Sequence, residues 1–109
     1  MTDKIVVLST CETQEEAAAL ARHLVEQRLA ACVNIVGAIR SIYRWKDEIE
    51  DAPEWLLAIK SRRDLLPALQ LEIQKKHSYE VPELLALPVI DGSPSYLLWL
   101  ERELKPADP

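Results

Sequence analysis

Two long runs of alternating side chains meet at one short polar break. Ala30 to Val36 opens an apolar strand pattern that continues past Gly37 to Trp45 with period two. Val33, Ile35, Ile39 and Tyr43 are expected on one face, with Asn34, Arg40 and Arg44 on the other. Lys46-Asp47-Glu48 interrupts the pattern and Ile49 to Lys60 resumes it, which reads as a hairpin. Gly37 marks a bulge or bend, and Ala52-Pro53 a bulge or an edge position. Some 13–14 residues of strand at about 3.3 Å each span roughly 45 Å. A compact domain of this size has a radius of gyration of only about 13 Å. The hairpin tip, with Tyr43, Trp45 and Ile49, therefore projects past its own body. A bare aromatic edge invites pairing, and the most economical cover is another copy of the chain.

The remaining segments supply that body. Ile5 to Leu8 is a short aliphatic strand. Thr13 to Glu16 reads as a capping box ahead of a helix with Ala17, Leu20, Ala21, Leu24, Val25 and Leu29 on one stripe. Asp64 is the expected cap of a second helix, with Pro67 in its first turn, the stripe Leu66, Leu69 and Ile73, and Lys75, Lys76 and His77 at its end. Leu84 to Ile90 reads as a strand between Pro82 and the turn Asp91-Gly92. Ser93-Pro94 opens a terminal helix, and residues 105–109 read as a frayed tail. The order predicts an α+β split βαβ plan, a ferredoxin-like βαββαβ sandwich with a long central hairpin and an extra C-terminal helix. One domain spans 1–109.

Composition excludes several functions. Two glycines, Gly37 and Gly92, rule out glycine-rich phosphate loops, and a formal net charge of -5 argues against nucleic acid or a polybasic membrane contact. No apolar run reaches the roughly 20 residues of a membrane helix, and no signal segment precedes the first strand. The expectation is a cytoplasmic protein with Cys11 and Cys32 as reduced thiols.

Three segments carry a resemblance: Leu29-Ala30-Ala31-Cys32-Val33-Asn34-Ile35; Ser41-Ile42-Tyr43-Arg44-Trp45 with Leu57-Ala58-Ile59-Lys60; and His77-Ser78-Tyr79-Glu80-Val81-Pro82-Glu83 with Leu87-Pro88. Together they closely resemble the CutA family of divalent-cation-tolerance proteins, from Ile5 to about Leu104. The resemblance implies a PII-like homotrimer whose hairpins embrace neighbouring subunits, and a role in tolerance of divalent metals such as copper. Ser78 stands where the family has proline, freeing the backbone before Tyr79. Asp47 replaces a turn glycine and tolerates positive φ better than most residues.

Thiolate and imidazole suit copper and zinc, so the candidate metal ligands are Cys11, Cys32 and His77, with copper or another divalent cation as the ion and no obligatory cofactor. No CxxC or HxxH spacing supports them. Cys11 is expected in a reachable loop and Cys32 reads equally as a small buried strand residue. His77 reads equally as a helix cap and His23 as a solvated helix residue. A second candidate is a cleft between subunits built from Lys60, Tyr79, Glu80 and Glu83, with Tyr43 or Trp45 arriving from a neighbour, for a metal, an anion or a metabolite. Trp55 and Trp99 read as packing residues. A thiol–imidazole enzyme pairing Cys11 with His77 or His23 lacks an oxyanion-hole turn and an orienting third group, so the chain reads as a non-enzyme.

Overall fold

In the computed structural model, which describes residues 1–107, the middle of the chain is the ribbon its periodicity predicts. β2 spans Cys32–Trp45 and β3 spans Glu48–Arg62. They turn at Lys46 and Asp47, with φ of 50° and 66°. Positive φ at both central residues is the type I′ geometry that matches strand twist. Around the ribbon lie β1 (Lys4–Cys11), α1 (Gln14–Glu26), α2 (Leu66–Lys76), β4 (Leu85–Pro88) and α3 (Pro94–Glu103). The sheet order is β2-β3-β1-β4, and every pairing is antiparallel. This is the expected ferredoxin-like α+β plan with its extra helix.

The core sits between one sheet face and two helices. Ile5, Val7 and Cys11 of β1 alternate inward beside Leu57 and Ile59 of β3. Ala17, Leu20, Ala21 and Leu24 of α1 and Leu69 and Ile73 of α2 pack over them, and Leu100 of α3 joins the same cluster. The ladder between β1 and β3 ends at Cys11 opposite Trp55. From Pro53 to Glu48, β3 keeps only β2 as a partner, and the longest dimension of the molecule is 45 Å. Pro53 thus lies on an edge, in regular register with Arg40 rather than at a bulge.

The bulge is at Gly37, where the register slips between Val36 and Ile39. A Cβ on Gly37 would lie 2.0 Å from Cδ1 of Trp55, so only glycine lets that indole lie against the strand. One inserted residue reverses the facing of everything beyond it. Val33 and Ile35 pair with Ile59 and Leu57, whereas Ile39, Ser41, Tyr43 and Trp45 pair with Glu54, Ala52, Glu50 and Glu48. Ile39 and Tyr43 therefore do not share a face with Val33 and Ile35, contrary to uninterrupted alternation.

Other local expectations are corrected by partners. β1 runs on through Ser9, Thr10 and Cys11, and Cys11 is fully buried, not in a reachable loop. Thr13 caps α1, accepting the Glu16 N–H at 3.1 Å, but the Glu16 carboxylate reaches the Glu12 N–H rather than that of Thr13. Asp64 does not cap α2: its carboxylate takes Nε of Arg62 at 2.6 Å, and the helix emerges from a 3-10 turn at Arg63–Leu65. β2 begins at Cys32, two residues after the expected start, and β4 is shorter than residues 84–90. Trp99 is exposed beside Tyr96 with ring centroids 5.6 Å apart, not packed in the core. The backbone of Lys105 is held, its N–H by the Arg28 carbonyl at 2.9 Å and its carbonyl by Arg62 at 2.6 Å, so no fraying begins there. Residues 108–109 of the expected tail lie outside the described residues. No described helix is long and apolar enough to cross a membrane.

Candidate functional site

Three element ends meet at one corner: the end of β1, the first turn of α1 and the residue that closes α2. His77 ends α2, its N–H donating to the Ile73 carbonyl at 3.0 Å. Its ring then reaches back to β1. Nε2 lies 2.6 Å from the Thr10 carbonyl, and Nδ1 accepts the Tyr79 N–H at 3.0 Å. An acceptor at one nitrogen and a donor at the other require the Nε2–H tautomer. Cys11 Sγ lies 3.8 Å from that nitrogen. Glu16 joins from α1, accepting the Ser78 N–H at 2.8 Å. A proline at position 78 would have no N–H to give. Ser78 therefore anchors the corner instead of loosening it.

Ligand-type atoms of Cys11, Glu16 and His77 lie within 4.8 Å of one another. Burial, reinforced by the charges of Glu16 and Glu54, pushes the Cys11 thiol up to about 12. Burial also works to raise the Glu16 carboxyl, but the hydrogen bonds from Ser78 outweigh it and hold the group below the usual carboxylate range. A protonated thiol beside an imidazole whose proton is already given to Thr10 is not poised for nucleophilic attack. Thiol, imidazole and carboxylate do form a donor set that suits copper or zinc.

The three metal candidates from the sequence are thus divided. Cys11 and His77 come together. Cys32 does not: it pairs with Lys60 on the opposite sheet face, and its Sγ lies 3.9 Å from Oδ1 of Asn34. The burial of the two thiols is also reversed, Cys11 being enclosed and Cys32 partly exposed. Glu16 was legible only as a capping carboxylate. His23 faces Glu72 of α2 at 3.7 Å, so it is not simply solvated.

A cavity of about 720 Å³ adjoins this corner. The distal ribbon forms one wall with Tyr43, Trp45, Glu50 and Glu54, and residues 78–83 form the other. The face reversal at Gly37 is what turns Tyr43 and Trp45 toward Glu54. Tyr79, Glu80, Glu83, Tyr43 and Trp45 therefore line one cleft of the single chain. Lys60 is not in it and donates to Asn34 instead. Glu54, which sequence reasoning left out of the cleft, lies at its floor and is only 5% exposed. The Tyr79 O–H donates to its Oε2 at 2.6 Å. Burial and the Glu54 charge hold the Tyr79 phenol well above its ordinary value and raise the Glu83 carboxyl.

Comparison with known proteins agrees with this architecture. The family model of the CutA1 divalent ion tolerance protein matches residues 5–103. The "Divalent-cation tolerance protein CutA" of Thermus thermophilus is 46% identical over 97 residues, covering 89% of this chain and 94% of that protein. "Protein CutA" of Mus musculus is 47% identical over 93 residues, or 85% of this chain, which spans only 52% of the mouse protein. The crystal structure of CutA1 from Oryza sativa superposes with a TM-score of 0.92 at 40% identity, covering 95% of each chain.

Proposed function

Because the chain belongs to the CutA1 divalent ion tolerance protein family, we propose that it serves divalent-cation tolerance without catalysing a reaction, as a homotrimer that takes up copper or another divalent cation. The observation that carries this is the convergence of Cys11, Glu16 and His77 within 4.8 Å. These residues would hold the ion, with Cys11 giving up its proton and His77 releasing the Thr10 carbonyl. Both costs favour weak, reversible uptake over permanent occupancy.

Assembly is supported by what the single chain leaves bare. Ile42 and Ile49 on the ribbon and Leu85 and Leu87 on β4 are exposed apolar residues. One core shared by the described elements supports reading the chain as one domain. Two unpaired thiols on opposite sheet faces suit a reducing compartment such as the cytoplasm.

Sedimentation velocity tests the assembly, with a trimer expected at micromolar concentration. Anaerobic copper titration of metal-stripped protein tests the site. Cys11→Ser and His77→Ala are each expected to weaken uptake about tenfold or more, as loss of a ligand does, while Cys32→Ser matches the parent. Equal uptake by all four proteins would refute the ligand assignment.

A second reading is favoured by the cavity beside Tyr79: a PII-like signalling or scaffold trimer that takes a small ligand in this cleft. Its size falls in the range of about 300–1,000 Å³ usual for small-molecule sites.

A further inference from the structure

The floor of the cleft poses an electrostatic problem. Glu54 is a 95%-buried carboxylate, and Tyr79 satisfies only its Oε2. Among the described residues no lysine, arginine or histidine pairs with it, and Oε1, which has no hydrogen-bond partner, is not sealed in the core but keeps access to the cleft. A carboxylate oxygen left free at the wall of a cleft is a ready acceptor for a cation that enters it. Glu83, on the facing segment, adds like charge, and Glu50 and Glu80 extend the acidic wall. The lining contains no lysine or arginine, so an anion has no counter-charge there. Three aromatic rings, Tyr43, Trp45 and Tyr79, line the same cleft as the carboxylates.

The rim already displays the chemistry such a wall prefers. Nζ of Lys46 lies 5.7 Å from the Trp45 ring centroid and 3.9 Å from Oε2 of Glu80. An ammonium over an aromatic face with a carboxylate beside it is a cation–π site with a counter-ion. The cavity is far larger than a bare ion needs, and its apolar rings would contact the methylenes of an organic cation.

We infer that the cleft binds an alkylammonium ligand, a short aliphatic diamine being the class that fits. One ammonium neutralises Glu54, the carbon chain lies along Tyr79 and Tyr43, and the second ammonium competes with Lys46 for Glu80 and the Trp45 face. This deepens the cleft reading above and is independent of the Cys11 corner.

Calorimetric titration of the assembled full chain, with a chelator present, tests it. Putrescine is the probe, with butylamine and butanediol as controls. Putrescine is expected to bind, butylamine more weakly and the diol not at all. Glu54→Gln should weaken putrescine roughly thirtyfold or more, since it removes a buried charge partner. Lys46→Met should tighten it about two- to fivefold by removing an exposed competitor. Cys11→Ser should leave it unchanged. Should Glu54→Gln fail to assemble, Lys46→Met still decides the matter. Absence of putrescine binding to both the parent and Lys46→Met overturns the amine assignment. If acids, amino acids or nucleotides then bind in a Tyr79-dependent way, the cleft reading survives without the amine; if none binds, both fall.

Discussion

Stripped of metal and offered a small alkylating reagent, the two thiols should separate sharply. Cys11 is fully enclosed between β1, α1 and the end of α2, and burial pushes its thiol up to about 12 from an ordinary 9.0. At pH 8 an ordinary thiol is about one-tenth ionised, whereas Cys11 holds about one thiolate in ten thousand. Three pH units correspond to about 4 kcal/mol of disfavour for the thiolate. In a Cys32→Ser background, iodoacetamide should therefore modify Cys11 about a thousandfold more slowly than a peptide thiol, before any shielding is counted. The rate should climb about tenfold per pH unit past pH 9 without levelling. Stability follows the same group. Between pH 9 and 12 the folded chain keeps a proton that the unfolded chain has lost. Folding is therefore undisturbed by this group below pH 9 and loses up to about 4 kcal/mol as pH rises through that window. Cys11→Ala should remove that alkaline loss in a denaturant series. Modification of Cys11 at peptide-thiol rates at pH 7.5, or a plateau near pH 9, would refute the reasoning.

Two substitutions test the ribbon. Gly37→Ala drives a Cβ to 2.0 Å from Cδ1 and 2.2 Å from Nε1 of Trp55. A rigid indole cannot yield without moving, so the cost should be about 1–3 kcal/mol by denaturant midpoint, relieved when Trp55 is also changed to Leu. Asp47→Gly removes a left-handed non-glycine residue at the hairpin tip, where φ is 66°. Stability should rise by about 0.5 kcal/mol in the same assay, and a loss would show that the Asp47 side chain has a role the turn geometry does not explain.

Several misreadings share one origin. Ser9 and Thr10 look like a loop because polar residues follow an aliphatic run. They are buried because β1 runs on past the end of β4, pairing with Leu57 and Leu56 of β3 while the His77 ring meets the Thr10 carbonyl. That continuation carries Cys11 into the core and aims it at His77. Asp64 looks like a helix cap, and its carboxylate served a nearby guanidinium instead. Glu54 falls within the returning strand Ile49 to Lys60 with nothing local to mark it, and only the fold places Tyr79 over it.

Local periodicity determined the ribbon, its turn at Lys46 and Asp47, its irregularity at Gly37, the stripes of the two helices and the Thr13 cap of the first. These features depend on neighbours a few residues away, so the chain states them directly. Which donors meet was decided by tertiary structure. The Thr10–His77 and Ser78–Glu16 hydrogen bonds join residues 67 and 62 positions apart, and their meeting depends on where three elements end. The facing of Tyr43 and Trp45 depends on a single inserted residue, whose consequence appears only once β3 supplies the register against which it is counted.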